Sequence, residues 1–137
     1  MKKFIIAIIA SVFISYGLSA QEKQETKPKN ISEAVWQLND ILTQDQKDIV
    51  TSVPEEVFMA GTSSALGKWL QQEWLYDKNN NGARLPSTLR KYMVELGVEK
   101  DDDMSYVILI TFYRWFHGKD LELIEVVSDI RAKEATE

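Results

Sequence analysis

The chain contains no cysteine, and this absence removes one means of stabilisation. No disulfide can staple the fold together. Packing must therefore hold it, and four tryptophans, five tyrosines and five phenylalanines supply the material. With no cysteine and a single histidine, His117, the chain also lacks the usual ligand set of a structural zinc site.

Two further shortages narrow the range of functions. No glycine-rich phosphate-binding loop is present. Positive charge is in the minority, with 16 Lys and Arg against 21 Asp and Glu and a formal net charge of −5. Because neutralising nucleic-acid phosphates needs clustered lysine and arginine, this acidic chain indicates a protein that does not bind nucleic acid.

A long apolar run at the N-terminus has the layout of a secretory signal peptide. Lys2 and Lys3 precede the apolar residues 4–14, and small residues lead up to Ala20. The run is shorter than the roughly 20 residues that a helix needs to cross a bilayer. We therefore expect residues 1–20 to be cleaved after Ala20, leaving no stable membrane span. An uncleaved membrane anchor is the alternative.

These features predict an exported protein, either periplasmic or secreted. A lipoprotein would need a cysteine at the cleavage site, and there is none. Cleavage removes two lysines and no acidic residue, so the formal charge changes from −5 to −7. Residues 21–30 (QEKQETKPKN) predict a flexible linker, which leaves residues 31–134 as a single helical domain.

Helical spacing of apolar residues runs through the rest of the chain and predicts an all-α fold, a compact bundle of five or six short helices. The first apolar face consists of Ile31, Ala34, Val35, Leu38, Ile41 and Leu42. We expect Ser32 to cap that helix, Thr43 to open a capping box and Gly97 to stop a later helix. A helix is also predicted over residues 62–76. No alternation typical of a β-hairpin is present.

The apolar residues 104–116 (MSYVILITFYRWF) indicate the buried centre of the domain. Their Val, Ile, Thr and Tyr content also suits a β-strand, which is the alternative. Aspartates before the segment and Gly118 after it favour a helix, because carboxylates interact well with the positive end of a helix dipole. His117 is interpreted as a residue whose charge suits the negative end, with a general base as the other possibility.

The sequence DKNNNG at residues 77–82, directly after the helix predicted over residues 62–76, begins like the calcium-binding loop of an EF-hand. Asp77, Asn79 and Asn81 occupy the first ligand positions, but the position of the bidentate glutamate is Thr88. The preferred interpretation is a surface turn in which asparagine and glycine supply left-handed backbone conformations. A weak calcium site at the three named ligands is the alternative.

Candidate catalytic residues are few, and enzymatic activity stays open, with no catalytic residue assigned. The GTSSA sequence around Ser63 lacks the last glycine of a nucleophile elbow and follows a helical pattern rather than a strand. Asp102 or Asp103 acting with His117 would suit an envelope-directed hydrolase. A helix that rises about 1.5 Å per residue would place these groups about 20 Å apart, which disfavours a shared reaction centre.

Trp74 and Tyr76 stand at a predicted helix end beside the polar loop, where we expect both to be partly exposed. Tryptophan and tyrosine are enriched at the residues that dominate binding energy in protein interfaces. We interpret this edge as a binding site for a protein or glycan partner in the cell envelope.

Several short motifs follow one another along the chain. They are L-G-K-W at 66–69, E-W-L at 73–75, R-L at 84–85, L-G at 96–97, D-D-M-S at 102–105, I-L at 108–109, and Arg114 with Gly118 and Lys119. On these motifs, residues 31–130 resemble a small bacterial domain family of unknown function, found in short exported or cytoplasmic proteins. The resemblance implies no reaction or substrate. It implies one local constellation of Trp74, Arg84, Asp102, Asp103 and Ser105.

The chain departs from the family pattern in two places and has a longer loop after Tyr76. It has Gln71-Gln72 where the family often has Arg-Asn, and Lys100-Asp101 where the family often has His-Pro. If that Arg and His carry a shared activity, this member lacks it.

We expect Asp102 or Asp103 to cap the central helix and to pair with Arg84, which would fix the loop against that helix.

Together these observations favour a non-enzymatic exported helical module that binds another cell-envelope component and needs no cofactor. The expected binding residues are Trp74, Tyr76, Arg84, Asp102, Asp103 and Ser105. An envelope-directed hydrolase and a calcium-stabilised module built on the 77–82 loop are the alternatives.

Overall fold

The computed structural model of the protein describes residues 26–79, 81–120 and 123–136. This part of the chain contains seven α-helices and one two-stranded sheet. The helices are α1 (Ile31–Ile41), α2 (Gln44–Ser52), α3 (Glu55–Thr62), α4 (Leu66–Trp74), α5 (Thr88–Glu95), α6 (Asp101–Phe116) and α7 (Leu123–Thr136). Strands β1 (Tyr76–Lys78) and β2 (Arg84–Pro86) lie between α4 and α5. The all-α class is confirmed, with seven helices in place of the five or six expected.

Helix α6 forms the centre of the fold, as its apolar sequence predicted. Its residues 103–113 are all buried except Tyr106. Helices α1, α2, α3, α4 and α7 pack against it. Complete burial of one large apolar side chain such as Phe112 stabilises the fold by roughly 1.5–3 kcal/mol. Packing from several neighbours outweighs the modest helix propensity of its β-branched residues, so the strand alternative is wrong.

Side-chain caps fix the start of the first two helices. The N–H of Thr43 donates a hydrogen bond to Gln46 Oε1 at 2.8 Å, and Thr43 Oγ1 accepts one from the N–H of Gln46, which confirms the predicted capping box. The cap of α1 is Asn30 rather than Ser32. Asn30 has extended backbone, and its Oδ1 accepts from the N–H of Glu33 at 2.9 Å, whereas Ser32 already lies inside the helix.

The helix predicted over residues 62–76 begins only at Leu66. Thr62 belongs to the end of α3, where its buried hydroxyl donates to the backbone carbonyl four residues earlier. A three-residue turn separates the two helices. Helix α4 then packs closely on α6 at Gly67, where an added Cβ would lie 3.8 Å from Ser105 Oγ.

The polar segment after α4 folds as a β-hairpin, which the sequence did not predict. The antiparallel partners are Tyr76 with Pro86, Asp77 with Leu85, and Lys78 with Arg84. Gly82, with φ of +78°, supplies the left-handed backbone that the turn requires. Three residues per strand are too few to show a clear alternation of apolar and polar residues, which explains why the pattern was not visible.

The helix stop predicted at Gly97 is confirmed and takes the form of a Schellman motif. Gly97 has φ of +98°, and its N–H donates to the carbonyl of Val94. The N–H of Val98 donates to the carbonyl of Met93, and both of these side chains are buried. This motif ends α5 and sets the direction in which the chain continues to α6.

The three aspartates of α6 lie in its first turn and not at its cap. The N-cap is Lys100, and no side chain makes a capping hydrogen bond there. Capping by Asp102 or Asp103 was therefore a wrong prediction. Their carboxylates still lie at the positive end of the helix dipole, which favours negative charge.

The chain makes contact with the domain before its first helix. Pro28 is buried, and Lys27 Nζ donates to the carbonyl of Tyr76 at 2.7 Å. Packing therefore begins earlier than Ile31, where the sequence predicts its start.

The expected signal peptide of residues 1–20 lies outside the described residues. Within those residues, no helix combines the length and the apolar character needed to cross a membrane.

Candidate functional site

The hairpin, α4 and the start of α6 border a polar groove of about 640 Å³. It is lined by Lys27, Lys68, Gln71, Gln72, Glu73, Tyr76, Lys78, Arg84 and Asp101. Four of these side chains are cationic and two are carboxylates. The groove therefore has a positive balance on a chain whose formal net charge is −5.

Tyr76 connects the hairpin to the central helix. Its hydroxyl donates a hydrogen bond to Asp101 Oδ2 at 2.7 Å. Arg90, on α5, donates from Nε to the Tyr76 hydroxyl oxygen at 3.2 Å and to Asp101 Oδ1 at 3.3 Å. The Arg90 and Asp101 side chains are only 23% and 30% exposed. Each of the three side chains restrains the other two, so this side of the groove has a fixed shape.

Arg84 stacks on Tyr76 instead of pairing with an aspartate of α6. Its Cζ lies 3.9 Å from the centroid of the Tyr76 ring, a cation–π geometry. The two residues are diagonal neighbours in the hairpin register, which places them on the same face of the sheet. The predicted pairing of Arg84 with Asp102 or Asp103 is wrong, since each of these carboxylates forms its ion pair with a lysine.

Asp102 belongs to a hydrogen-bonded cluster between α4 and α6. Lys68 Nζ and Gln71 Nε2 both donate to Asp102 Oδ1, at 3.0 and 2.9 Å. Gln71 Nε2 also donates to Ser105 Oγ at 3.0 Å, and the Ser105 hydroxyl donates to the carbonyl of Asp102. The hydrogen bonds from Lys68 and Gln71, with the Lys68 charge, hold the pKa of Asp102 below its usual value. The structure therefore brings two predicted site residues, Asp102 and Ser105, together.

Trp74 and Asp103 do not line the groove. Trp74 is fully buried, and its ring meets that of Trp69 edge to face with centroids 5.5 Å apart. The expected partial exposure of Trp74 is therefore wrong, whereas Tyr76 is partly exposed as expected. Asp103 is also buried, and its carboxylate pairs with Lys133 of α7 at 3.4 Å. Trp74 therefore belongs to the packed interior beneath the groove, and Asp103 links α6 to α7.

The loop that begins like an EF-hand uses its side-chain oxygens inside the hairpin. Asn79 Oδ1 accepts from the N–H groups of Asn81 and Ala83, at 2.9 and 3.0 Å, as in a turn closed by a side chain. Asp77 Oδ1 forms an ion pair with Lys27 at 2.9 Å. In the described part of the chain, no group of three or more His, Asp or Glu side chains suits a metal ion. These contacts favour the interpretation as a turn.

The acid and base considered for a hydrolase stand at opposite ends of α6. Asp102 and Asp103 lie in its first turn, and His117 follows its last residue. At about 1.5 Å per residue, this 16-residue helix is about 24 Å long. His117 Nε2 hydrogen-bonds to the carbonyl of Val50 at 2.8 Å. Ser63 lies in the turn between α3 and α4, which lacks the strand that a nucleophile elbow requires.

A second groove, of about 490 Å³, adjoins the first. Lys68 and Gln71 line both grooves. The remaining lining comes from the end of α3, the following turn and α6 as far as its middle, and it includes Met59, Tyr106 and Leu109. The two grooves therefore form one surface that crosses the contact between α4 and α6.

Comparison with known families identifies a domain family that covers most of the fold. A family model described as a domain of unknown function, DUF6794, matches residues 27–116. The chain belongs to the DUF6794 family. This confirms the resemblance to a domain family of unknown function, and the DUF6794 region contains every residue that lines the polar groove, whereas α7 lies beyond it. No curated protein and no solved structure matches significantly.

Seven of the nine residues that line the polar groove of this DUF6794 domain, and Arg90 beside it, are not among the binding residues that the sequence predicts. Lys27 was assigned to the linker, and Lys68, Gln72 and Arg90 have the ordinary appearance of polar residues on amphipathic helices. The partners of Lys27, Lys68 and Arg90 lie 11 to 50 residues away in sequence, and local patterns carry no information on such contacts. The one available signal was the doublet Gln71-Gln72, which stood out as a departure from the family pattern.

Proposed function

We propose that this protein is a non-enzymatic, exported helical module that binds another component of the cell envelope, and that the polar groove is its binding site. The observation that carries this proposal is the groove itself. Its lining combines charged, amide and aromatic side chains, which are the groups that fix the orientation of a ligand.

Several side chains of the groove are already held by hydrogen bonds in the protein alone, and this order supports the proposal. Tyr76, Arg90 and Asp101 hold one another, and Lys68 and Gln71 are held by Asp102. Side chains that are already ordered lose little conformational entropy when a partner binds. The groove is also built mainly on helices and a paired hairpin, which makes the positions of its groups well defined.

Export is supported by the sequence of residues 1–20, with its basic start and short apolar segment. A binding role is favoured over a hydrolase because His117, the base considered for hydrolysis, lies at the opposite end of α6 from Asp102 and Asp103. Asp101, the carboxylate of α6 that lines the groove, is already bonded to Tyr76 and Arg90.

A variant that fills the groove tests this function. Gln72 is exposed on α4 and lines the groove, so Gln72→Trp should block it without breaking the hydrogen-bonded clusters. Ala132→Trp adds the same side chain at an exposed position of α7 and is the matched control. A chain of residues 21–137 contains every residue that the structure describes and serves as bait for an envelope extract.

We expect one partner to be captured by the wild type and by Ala132→Trp, and to be lost from Gln72→Trp. Circular dichroism would confirm that both variants are folded. Retention of every captured protein by folded Gln72→Trp would contradict a binding role for this groove, as would the absence of any captured protein in all three samples.

A further inference from the structure

The charge balance of the groove is opposite to that of the chain. Formal net charge is −5 for the whole sequence, yet the groove lining has four cationic side chains and two carboxylates. Three of these six groups already have an ion-pair partner: Asp101 pairs with Arg90, Lys27 with Asp77 and Lys68 with Asp102. Among the described residues, the lining groups without an ion pair are the cations Lys78 and Arg84 and the carboxylate Glu73, which keeps the balance positive. A partner with negative charge is therefore attracted to this part of the surface, although the rest of the protein repels it.

Lys78 and Arg84 are the two cations best placed to contact such a partner. They are directly opposite each other in the hairpin register, and both are exposed. Among the described residues, no carboxylate forms an ion pair with either of them. Like charges directly opposite in an antiparallel pair destabilise it, so a bound carboxylate between them would remove a repulsion as well as add an attraction.

Arg84 is held in place before any ligand arrives. It stacks on Tyr76 at 3.9 Å, and Tyr76 is fixed in turn by Asp101. A guanidinium group that is held flat in this way can present two parallel N–H donors to one carboxylate. Lys78 supplies a second, more flexible positive charge across the strand pair.

The aromatic ring in the groove argues for a peptide rather than a sugar chain. Sugars would need a free aromatic face to stack on, but the guanidinium groups of Arg84 and Arg90 lie 3.9 and 5.4 Å from the centroid of Tyr76. The amide groups of Gln71 and Gln72 have both donors and acceptors, as peptide bonds do. Nucleic acid is disfavoured because the protein as a whole is acidic.

We propose that the groove binds an acidic peptide segment of a partner protein, with a carboxylate held between Lys78 and Arg84. This inference rests on the proposed function, because it names the chemistry of the component bound at the same groove. A substitution at Glu73 should change the affinity for an acidic peptide in the opposite direction. Since its carboxylate lines the groove, its neutralisation should strengthen the binding of an acidic peptide.

The direct test is a titration of the chain of residues 21–137 with a fluorescent peptide of alternating glutamate and alanine, followed by anisotropy at low salt. The double variant Lys78→Gln, Arg84→Gln should bind about fivefold to thirtyfold more weakly, since two partly exposed charge pairs are lost.

The matched control is Lys91→Gln, Lys119→Gln, which removes the same charge at exposed positions outside the groove lining. It should bind within about twofold of the wild type, because distant exposed charges are screened. Glu73→Gln should bind more tightly.

Four outcomes would overturn the inference. These are equal binding by the groove double variant, an equal loss in the control double variant, equal binding of a glutamine-for-glutamate peptide, and tighter binding of an acidic oligosaccharide such as oligogalacturonate. If Gln72→Trp loses the captured partner but the acidic peptide does not bind, the proposed function stands and the peptide chemistry is wrong. If the peptide binds at the groove and no envelope partner is captured, the inference stands without the wider function.

Discussion

The hydroxyl of Tyr76 lies 2.7 Å from the carboxylate of Asp101, and this one contact joins the hairpin to the first turn of the central helix. Residues 76 and 101 are separated by the whole of β2 and α5, so their contact closes a large part of the DUF6794 domain around the groove. Arg90 completes the contact from α5.

Removal of this hydroxyl should measure the strength of the link. We expect Tyr76→Phe to lower the free energy of unfolding by about 1–2 kcal/mol, because the partly buried Asp101 and Arg90 lose a hydrogen-bond partner. Tyr92→Phe is the matched control, since Tyr92 is also partly buried and its hydroxyl has no hydrogen bond among the described residues. Urea unfolding of the three proteins gives the comparison. Equal losses in both variants would show that the contact with Asp101 contributes no stability of its own.

Asp102 should give the domain an acid-sensitive component of stability. Its pKa in the folded protein is lowered, chiefly by the hydrogen bonds from Lys68 and Gln71, from an ordinary value of 3.8. The unfolded chain therefore takes up a proton at this group first as the pH falls. The stabilisation is fully present above about pH 5 and is lost as the pH falls through the folded-state pKa.

Thermal melts at several pH values below neutrality would measure this dependence. Asp102→Asn should melt lower than the wild type near neutral pH and should lose less stability on acidification. Asp129→Asn, an exposed substitution on α7, should keep the slope of the wild type. A wild-type slope in Asp102→Asn would contradict the assignment.

The ion pair between Arg114 and Glu55 should contribute more than the one between Lys68 and Asp102. Arg114 Nε lies 2.8 Å from Glu55 Oε1 and Nη2 lies 3.3 Å from Oε2, with side chains 23% and 33% exposed. The Lys68 and Asp102 side chains are 56% and 77% exposed. Double-mutant cycles should give a coupling of about 1 kcal/mol for the two-point pair and below about 0.5 kcal/mol for the exposed one. The reverse order would refute this explanation.

Gly97 should tolerate alanine poorly. Its φ of +98° is costly for any residue with a Cβ, and that Cβ would lie 2.8 Å from Arg131 Cδ. We expect Gly97→Ala to cost about 1–2 kcal/mol, from backbone strain and displacement of Arg131. Gly82→Ala meets the same backbone strain with nothing within 4 Å and should cost less. Chemical denaturation would rank the two, and a larger loss at Gly82 would speak against the close contact.

The proposed export of this protein predicts that signal-peptide cleavage leaves one defined N-terminus. When the full chain is produced in a bacterial host, we expect the mature protein to begin at Gln21 and to be found outside the cytoplasm. Intact-mass measurement of each cell fraction would check both points. A membrane fraction that retains residues 1–20 would favour the uncleaved anchor, and a full-length cytoplasmic product would contradict export.

The sequence predicted the helical features that depend on neighbouring residues. The capping box at Thr43 and the helix stop at Gly97 arise from contacts within a few positions, and the buried helix after residue 100 is marked by its own run of apolar residues. The polar site was harder to predict, because its contacts are distant in sequence: Gln71 is 31 residues from Asp102, and Tyr76 is 25 residues from Asp101.

The errors at the site have a common physical cause. The sequence predicts an exposed edge at Trp74 because it gives no sign of the hairpin that follows. That hairpin depends on the pairing of two very short strands. Arg84 was assigned to an aspartate by charge alone, but the hairpin register places it over Tyr76. Charge complementarity leaves several partners possible, and the register selects among them.

The contact of Lys27 with the hairpin has a practical consequence for work with this domain. Lys27 lines the groove and its Nζ donates to the Tyr76 carbonyl, so the start of the described chain lies beside the groove. A purification tag or display anchor joined close to Lys27 would lie beside the groove and would compete with the proposed ligand. Attachment after α7, none of whose described residues lines the groove, keeps the mouth open. A dye at the N-terminal end would, for the same reason, report directly on occupancy.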